Sequence, residues 1–74
     1  MPKRKPEIKQ RFSSGNRVEI FVTRKAENFY WADAEWESFP PSPTDRKQYA
    51  ELVAPRVVRL AERLNVQIEA AHWN

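Results

Sequence analysis

The chain has 74 residues, of which 13 are Lys or Arg, 10 are Asp or Glu and none is Cys. A chain this short forms one domain and buries only about 60% of the surface that its unfolded form exposes. Without cysteine, disulfides, thiol catalysis and Cys-ligated zinc are excluded, and the single histidine, His72, cannot form a metal site of the usual His-ligated kind. Packing alone must therefore stabilise the fold.

The formal net charge of +3 is distributed unevenly along the chain. Residues 1–17 hold six basic side chains and only Glu7 as an acid, a charge of +5, which leaves −2 for residues 18–74. A basic segment of this kind raises encounter rates with polyanions and so favours an anionic partner. The alternative is a solvated tail that only keeps a small protein in solution.

No apolar run approaches the roughly 20 residues that a membrane-spanning helix needs. No apolar segment follows the first basic residues, as it would in a secretory signal peptide. We therefore expect a soluble, cytoplasmic protein with no membrane partner.

Residues 1–16, called the basic arm below, contain two prolines, two serines and a glycine. After Met1 their sizeable apolar side chains are Ile8 and Phe12 alone. This is too little burial to offset the entropy lost on ordering. The arm is therefore expected to be disordered or loosely docked, and residues 17–74 are expected to form the single domain.

Two segments alternate between apolar and polar residues, which is typical of half-buried strands. They begin at Arg17 and at Phe29 and are joined by a short polar linker, so we predict an antiparallel hairpin. The apolar side chains of one face are Val18, Ile20, Val22, Tyr30, Ala32, Ala34 and Trp36. Trp36 is predicted to be among the most buried side chains, between the sheet and a helix near Val57 or Leu60.

Two registers of this hairpin place the apolar side chains of both strands on the same side of the sheet. In the preferred register, Phe21 lies opposite Trp31 and Arg17 lies opposite Glu35. The other register slips by two residues and places Glu19 opposite Glu35. The aromatic pair and the opposite charges favour the first.

Prolines between residues 39 and 43 end the second strand and lead into a helix. Ser42 is the predicted N-cap, Pro43 the first helical residue and Asp45 the returning member of a capping box. The apolar stripe of the helix is Tyr49, Val53, Val57, Leu60 and Leu64. Pro55 predicts a kink or two short helices that meet at Ala54.

Asn65 is a suitable helix stop, and the alternation of Val66, Ile68 and Ala70 after it predicts a third strand. The predicted fold is therefore α+β, a single ββαβ domain with one helix on a three-stranded antiparallel sheet. We expect the third strand beside the first, in the order 2-1-3, after a right-handed crossover.

Catalysis has little support in this sequence. His72 lies two residues from the last residue, and the chain has neither a glycine-rich phosphate loop nor a nucleophile in a recognisable motif. The spacing of Asp33, Glu35 and Glu37 is that of an ordinary solvated strand face rather than of a cation-binding loop. We expect no enzyme, no cofactor and no metal.

The sheet face away from the helix, called the outer face below, carries aromatic and acidic side chains. Its candidate interface residues are Phe21, Phe29, Trp31, Asp33, Glu35 and Trp73. The carboxylates disfavour phosphate, so this face suits a protein partner or a second copy of the chain, and the protein would then be an interaction module or a phage-type inhibitor. The alternative is that Ile8 and Phe12 of the arm fold over the aromatics.

Arg56, Arg59 and Arg63 recur at helical spacing and form a ridge beside the apolar stripe. Such an arginine ridge binds successive phosphates well, although arginines in this position also lie over the stripe and pair with carboxylates such as Glu62. The candidate nucleic-acid contacts are these three and Lys3, Arg4, Lys5, Lys9, Arg11 and Arg17. Nucleic-acid association is therefore the leading prediction, and a protein-interaction module is the alternative.

Overall fold

The structure, a computed structural model, describes the backbone of residues 5–73 and the side chains of residues 5–70. Its strands are β1 (Ile8–Arg11), β2 (Arg17–Ala26), β3 (Phe29–Trp36) and β4 (Gln67–Trp73). They form one sheet in the order β1-β2-β3-β4, in which β1, β2 and β3 pair antiparallel and β4 pairs parallel with β3. The predicted α+β class is confirmed, but the sheet is mixed and has four strands rather than three.

The C-terminal strand lies at a different edge from the one predicted. It pairs with β3, with Tyr30 opposite Ile68 and Ala32 opposite Ala70, instead of pairing antiparallel with β2. The predicted direction of the strand is correct, because a strand antiparallel to β2 and a strand parallel to β3 run the same way. The predicted position was wrong because β1 already occupies the free edge of β2.

The basic arm supplies this additional strand. Ile8 lies opposite Ile20 in β1, and the side chains of Ile8 and Phe12 are 5% and 4% exposed. The prediction of a disordered or loosely docked segment is therefore wrong for residues 8–12. Both side chains belong to the core under the helix, so they do not cover the aromatics of the outer face as the alternative proposed.

A tight turn over residues 12–16 connects β1 to β2. The amide of Phe12 donates to the carbonyl oxygen of Asn16 at 2.8 Å, and the amide of Gly15 donates to the carbonyl oxygen of Phe12 at 2.9 Å. Gly15 has a φ of +94°, a left-handed conformation that glycine adopts without steric cost. The one glycine of the sequence therefore lies where the backbone requires it.

The hairpin of β2 and β3 adopts the second of the two registers. Glu19 lies opposite Glu35, Phe21 lies opposite Asp33, and Trp31 is paired with Thr23. The preferred register was thus wrong, although both registers assign the same side chains to the buried face.

Asn16 and Trp36 explain this register. The side-chain amide of Asn16 accepts from the Ser38 amide at 2.9 Å and donates to the Ser38 carbonyl oxygen at 3.0 Å, which extends the pairing by one step beyond the strands. The same register places Trp36 opposite Val18, inside the core instead of at its margin. Burial of the indole outweighs a like-charge pair that remains in contact with water.

The helical segment begins as predicted. The segment α1 (Pro43–Gln48) has Ser42 as its N-cap and a complete capping box with Asp45. A π-helical turn (Tyr49–Val53) follows, and α2 (Ala54–Leu64) starts at the predicted break. Because Pro55 has no N–H and its ring crowds the carbonyl of the preceding turn, the wider turn accommodates it.

Asn65 ends α2 in the left-handed conformation, with φ of 55° and ψ of 48°. Its amide donates to Glu62 and Ala61, and the next amide, that of Val66, donates to Ala61 at 3.0 Å. These bonds satisfy carbonyl groups that the end of a helix leaves open. The predicted helix stop is confirmed.

The core lies between the sheet and this helical layer. Its buried members are Ile8, Phe12, Val18, Ile20, Ala32, Ala34, Trp36 and Val53, with Leu60 also buried. Trp36 is 7% exposed, and its ring lies 5.4 Å from that of Phe12 and 5.7 Å from that of Tyr49. Of the predicted apolar stripe only Leu64 was wrong, since it is 49% exposed.

Candidate nucleic-acid interface

The arginine ridge lines a cleft between α2 and the start of β1. The cleft has a volume of about 600 Å³ and is lined by Glu7, Ile8, Arg56, Arg59, Leu60 and Arg63. The fold thus brings part of the basic arm to the ridge, two features that are almost fifty residues apart in sequence. We call this site the arginine cleft.

The three arginines lie on one flank of α2 and are exposed to solvent. At about 1.5 Å of rise per residue, the Cα atoms of Arg56 and Arg63 are separated by about 10.5 Å along the helix axis. Within residues 5–70, no carboxylate lies within ion-pair distance of any of the three guanidinium groups. The pairing with Glu62 that the alternative expected is therefore not found, although the ridge borders the apolar side chains of Ile8 and Leu60, as that alternative also expected.

The rest of the cleft is part apolar and part acidic. Ile8 and Leu60 are 5% and 9% exposed and form an apolar floor between the ridge and β1. Glu7 is exposed and contributes the one carboxylate of the lining. Its charge opposes that of the ridge, so the cleft has a net positive charge of two from its lining residues.

Of the other predicted nucleic-acid contacts, none that lies within the described residues lines the arginine cleft. Lys9, Arg11 and Arg17 lie on the outer face of the sheet, because they alternate with Ile8, Gln10 and Val18 along their strands. Lys5 is exposed and lies just before β1. Lys3 and Arg4 lie outside the described residues.

Glu37 forms ion pairs with two of these predicted contacts, Arg11 and Arg17. Its carboxylate lies 3.9 Å from Arg11 and 3.8 Å from Arg17, two side chains that face each other across β1 and β2. Arg17 also lies 3.9 Å from Glu19, and it does not pair with Glu35 as predicted. Arg11 and Arg17 are consequently less available to an anionic partner than the ridge is.

The outer face carries the candidate protein interface. Phe21 and Phe29 are half-buried, Trp31 is 39% exposed, and Asp33 and Glu35 lie among them on β3. The ammonium group of Lys25 lies 4.3 Å from the centre of the Trp31 ring and partly covers it. The backbone of Trp73 pairs with Ala34, whereas its side chain lies outside the described ones.

One polar cluster was missed by the sequence analysis. Asp45 is 3% exposed and accepts from the Ser14 hydroxyl at 2.6 Å, from the Asn16 side chain at 3.0 Å and from the Ser42 amide at 3.2 Å. These hydrogen bonds lower the pKa of Asp45 from 3.8 to about 2. The bond from Ser14 contributes most to this shift, and the bond from Asn16 comes next. The Ser-Ser-Gly-Asn segment has the composition of a disordered region, yet it forms a turn whose side chains hydrogen-bond to Asp45 at the start of α1.

Comparisons with protein-family models, with curated proteins and with solved structures give no match. Within the described residues, no helix is long and apolar enough to cross a membrane. Nor do three or more His, Asp or Glu side chains of that same part of the chain converge where they could hold a metal ion.

Proposed function

We propose that this protein is a non-enzymatic nucleic-acid-binding protein and that the arginine cleft is its binding site. The observation that carries the proposal is the ridge itself: three solvent-exposed guanidinium groups that have no carboxylate partner among the described side chains. Arginines that serve only the fold are normally paired or lie along apolar surface. A row of unpaired ones on a rigid helix suits the phosphates of a polyanion.

The planar donors of a guanidinium group can bind two oxygens of one phosphate at once. The ridge offers three such groups along one helix flank, so it fits a repeating anion better than a single small one. Contacts of this kind position a nucleic acid through its backbone and do not read its sequence. The expected activity is binding with little sequence preference.

The test compares two variants of equal charge. The first is Arg56→Gln, Arg59→Gln and Arg63→Gln together, called the ridge variant below. The matched control is Arg24→Gln, Arg46→Gln and Lys47→Gln, which removes three exposed positive charges outside the cleft. Binding of a labelled oligonucleotide is measured by fluorescence anisotropy over a range of salt concentrations.

We expect the ridge variant to bind more weakly and with a smaller salt dependence, because each phosphate that is no longer neutralised lowers the logarithmic salt slope by about 0.7 to 0.9. The control should retain most of the affinity and slope. Equal reductions in the two variants would mean that net charge, and not the cleft, determines binding. No measurable binding by the parent protein would refute the proposal.

The outer face supports a second candidate function, that of a protein-interaction module. The molecule measures 37 × 31 × 16 Å, so it is two layers thick, and the described residues leave the second sheet face uncovered. Trp31 is exposed on this face beside the half-buried Phe21 and Phe29, and aromatic side chains are enriched in protein interfaces. Light scattering before and after Trp31→Ala tests self-association, since a dimer through this face would dissociate, whereas an unchanged monomeric mass would argue against it.

A further inference from the structure

The arginine ridge of α2 lies on the flank of the helix next to β1. We call the side of the helix that carries Val58 and Glu62 its crest, and it has no positive charge. Leu60 is buried and Val57 half-buried towards the sheet, whereas Val58 is 57% exposed and Glu62 is exposed. With 3.6 residues per turn, Val58 and Glu62 lie on the side of α2 opposite the ridge, where they border a second cleft beside the start of β4, and the ridge lies over the start of β1. The crest of the helix is thus apolar and acidic.

This distribution disfavours a DNA duplex. A helix that docks in the major groove inserts the side that faces away from its own domain. Here that side would bring the Glu62 carboxylate towards the phosphates and leave the ridge beside the groove. The side of α2 that carries Val58 and Glu62 is not basic, as groove binding by this helix would need.

The size of the arginine cleft leads to the same conclusion. The cleft is open to solvent and has a volume of only about 600 Å³. The major groove of a duplex is by itself about 12 Å wide and admits a whole helix, so a duplex is far too large to enter the cleft. A strand with its bases unpaired can place one or two nucleotides there.

We infer that the ligand of the arginine cleft is a single-stranded nucleic acid, an inference that depends on the proposed function. Successive phosphates bind along Arg56, Arg59 and Arg63, and a ribose or a base lies against the apolar floor of Ile8 and Leu60. A guanidinium plane also stacks on an unpaired base, which a base inside a duplex does not allow. Single strands therefore make interactions in the cleft that duplexes cannot make.

The test uses three labelled probes of one sequence: a twelve-nucleotide DNA strand, the same strand as RNA, and the DNA duplex. We expect the parent protein to bind the single strands at least about tenfold more tightly than the duplex at one salt concentration, because stacking is available to the strands alone. The ridge variant should lose that preference, and its logarithmic salt slope with the single strands should fall by about 0.7 for each phosphate that the ridge no longer neutralises, which is about 1.4 for two phosphates.

Glu62→Gln separates the cleft from the crest. If a duplex docked on the side of α2 that carries Glu62, removing this carboxylate would strengthen duplex binding more than single-strand binding, whereas the inference requires that the preference for single strands remain. Duplex affinity that equals or exceeds single-strand affinity, while still depending on the ridge, overturns this inference and leaves the proposed function in place. Failure of all three probes to bind overturns both. Thermal unfolding of each variant verifies that it is folded.

Discussion

Asp45 is the residue that joins the turn after β1 to the start of α1. Its carboxylate accepts from Ser14 and Asn16 on one side and caps the helix together with Ser42 on the other. These donors favour the ionised form, so the pKa of Asp45 falls to about 2 in the folded protein. A depressed carboxyl pKa stabilises the fold at pH values above its ordinary value of 3.8, and that contribution is lost as the pH falls towards 2.

Asp45→Asn should therefore destabilise the protein near neutral pH and flatten its acid unfolding. The difference in unfolding free energy between parent and variant should shrink as the pH falls from about 4 to about 2. Urea unfolding at several pH values measures it. Ser14→Ala, which removes the largest cause of the shift, should give an intermediate pH dependence. An Asp45→Asn variant with the pH dependence of the parent would contradict the role assigned to the carboxylate.

Trp36 and Trp31 are the two tryptophans of β3, and their environments are opposite. Trp36 is 7% exposed between Phe12 and Tyr49, whereas Trp31 is 39% exposed beneath Lys25. Trp36→Ala should lower the free energy of unfolding by about 3–5 kcal/mol, because it empties a packed core site. Trp31→Ala should lower it by about 1 kcal/mol or less, the scale of an exposed cation–π contact. Denaturant unfolding compares them, and equal effects would mean that the faces of β3 are wrongly assigned.

At the scale of elements, the sequence predicts faces and ends better than neighbours. The alternation in β2 and β3 assigned each side chain to the correct face, and Ser42, Pro55 and Asn65 marked the correct boundaries because their effects are local. The neighbour of β2 depended instead on Ile8 and Phe12. Two apolar side chains in a basic segment produce no periodic signal, although their burial determines the order of the sheet.

The cap at Asn65 gives a prediction at this scale. Its φ of 55° lies in the left-handed region, which costs a non-glycine residue about 1–2 kcal/mol and which Asn tolerates better than most. Asn65→Ala should therefore destabilise the protein by about 1 kcal/mol, whereas Asn65→Gly should leave the stability unchanged or raise it slightly. Thermal or denaturant unfolding of the two variants distinguishes them. If both variants were destabilised equally, the Asn65 side chain rather than its backbone conformation would be responsible.

At the scale of the molecule, basic side chains lie on both sides of the edge strand β1. The arginine cleft lies on the helix side of this edge, and Lys9 and Arg11 lie on the outer face. In the proposed complex, a single-stranded nucleic acid that is bound in the cleft can extend towards the residues that precede β1. The arm is thus both a structural strand and a source of charge, and removing residues 1–12 would take Ile8 and Phe12 from the core together with the charge.

Substitution separates these two roles where truncation does not. Lys3→Gln, Arg4→Gln and Lys5→Gln together remove three positive charges and leave the sequence of β1 intact. We expect weaker binding of a single-stranded oligonucleotide and a salt slope reduced by up to about 0.7 for each phosphate that the arm no longer neutralises, with an unchanged melting temperature. Combined with the ridge substitutions, the reductions in binding free energy should add approximately, because the two sets neutralise different phosphates. If affinity and slope were unchanged in this arm variant, the first residues would serve solubility alone, and the cleft by itself would account for binding.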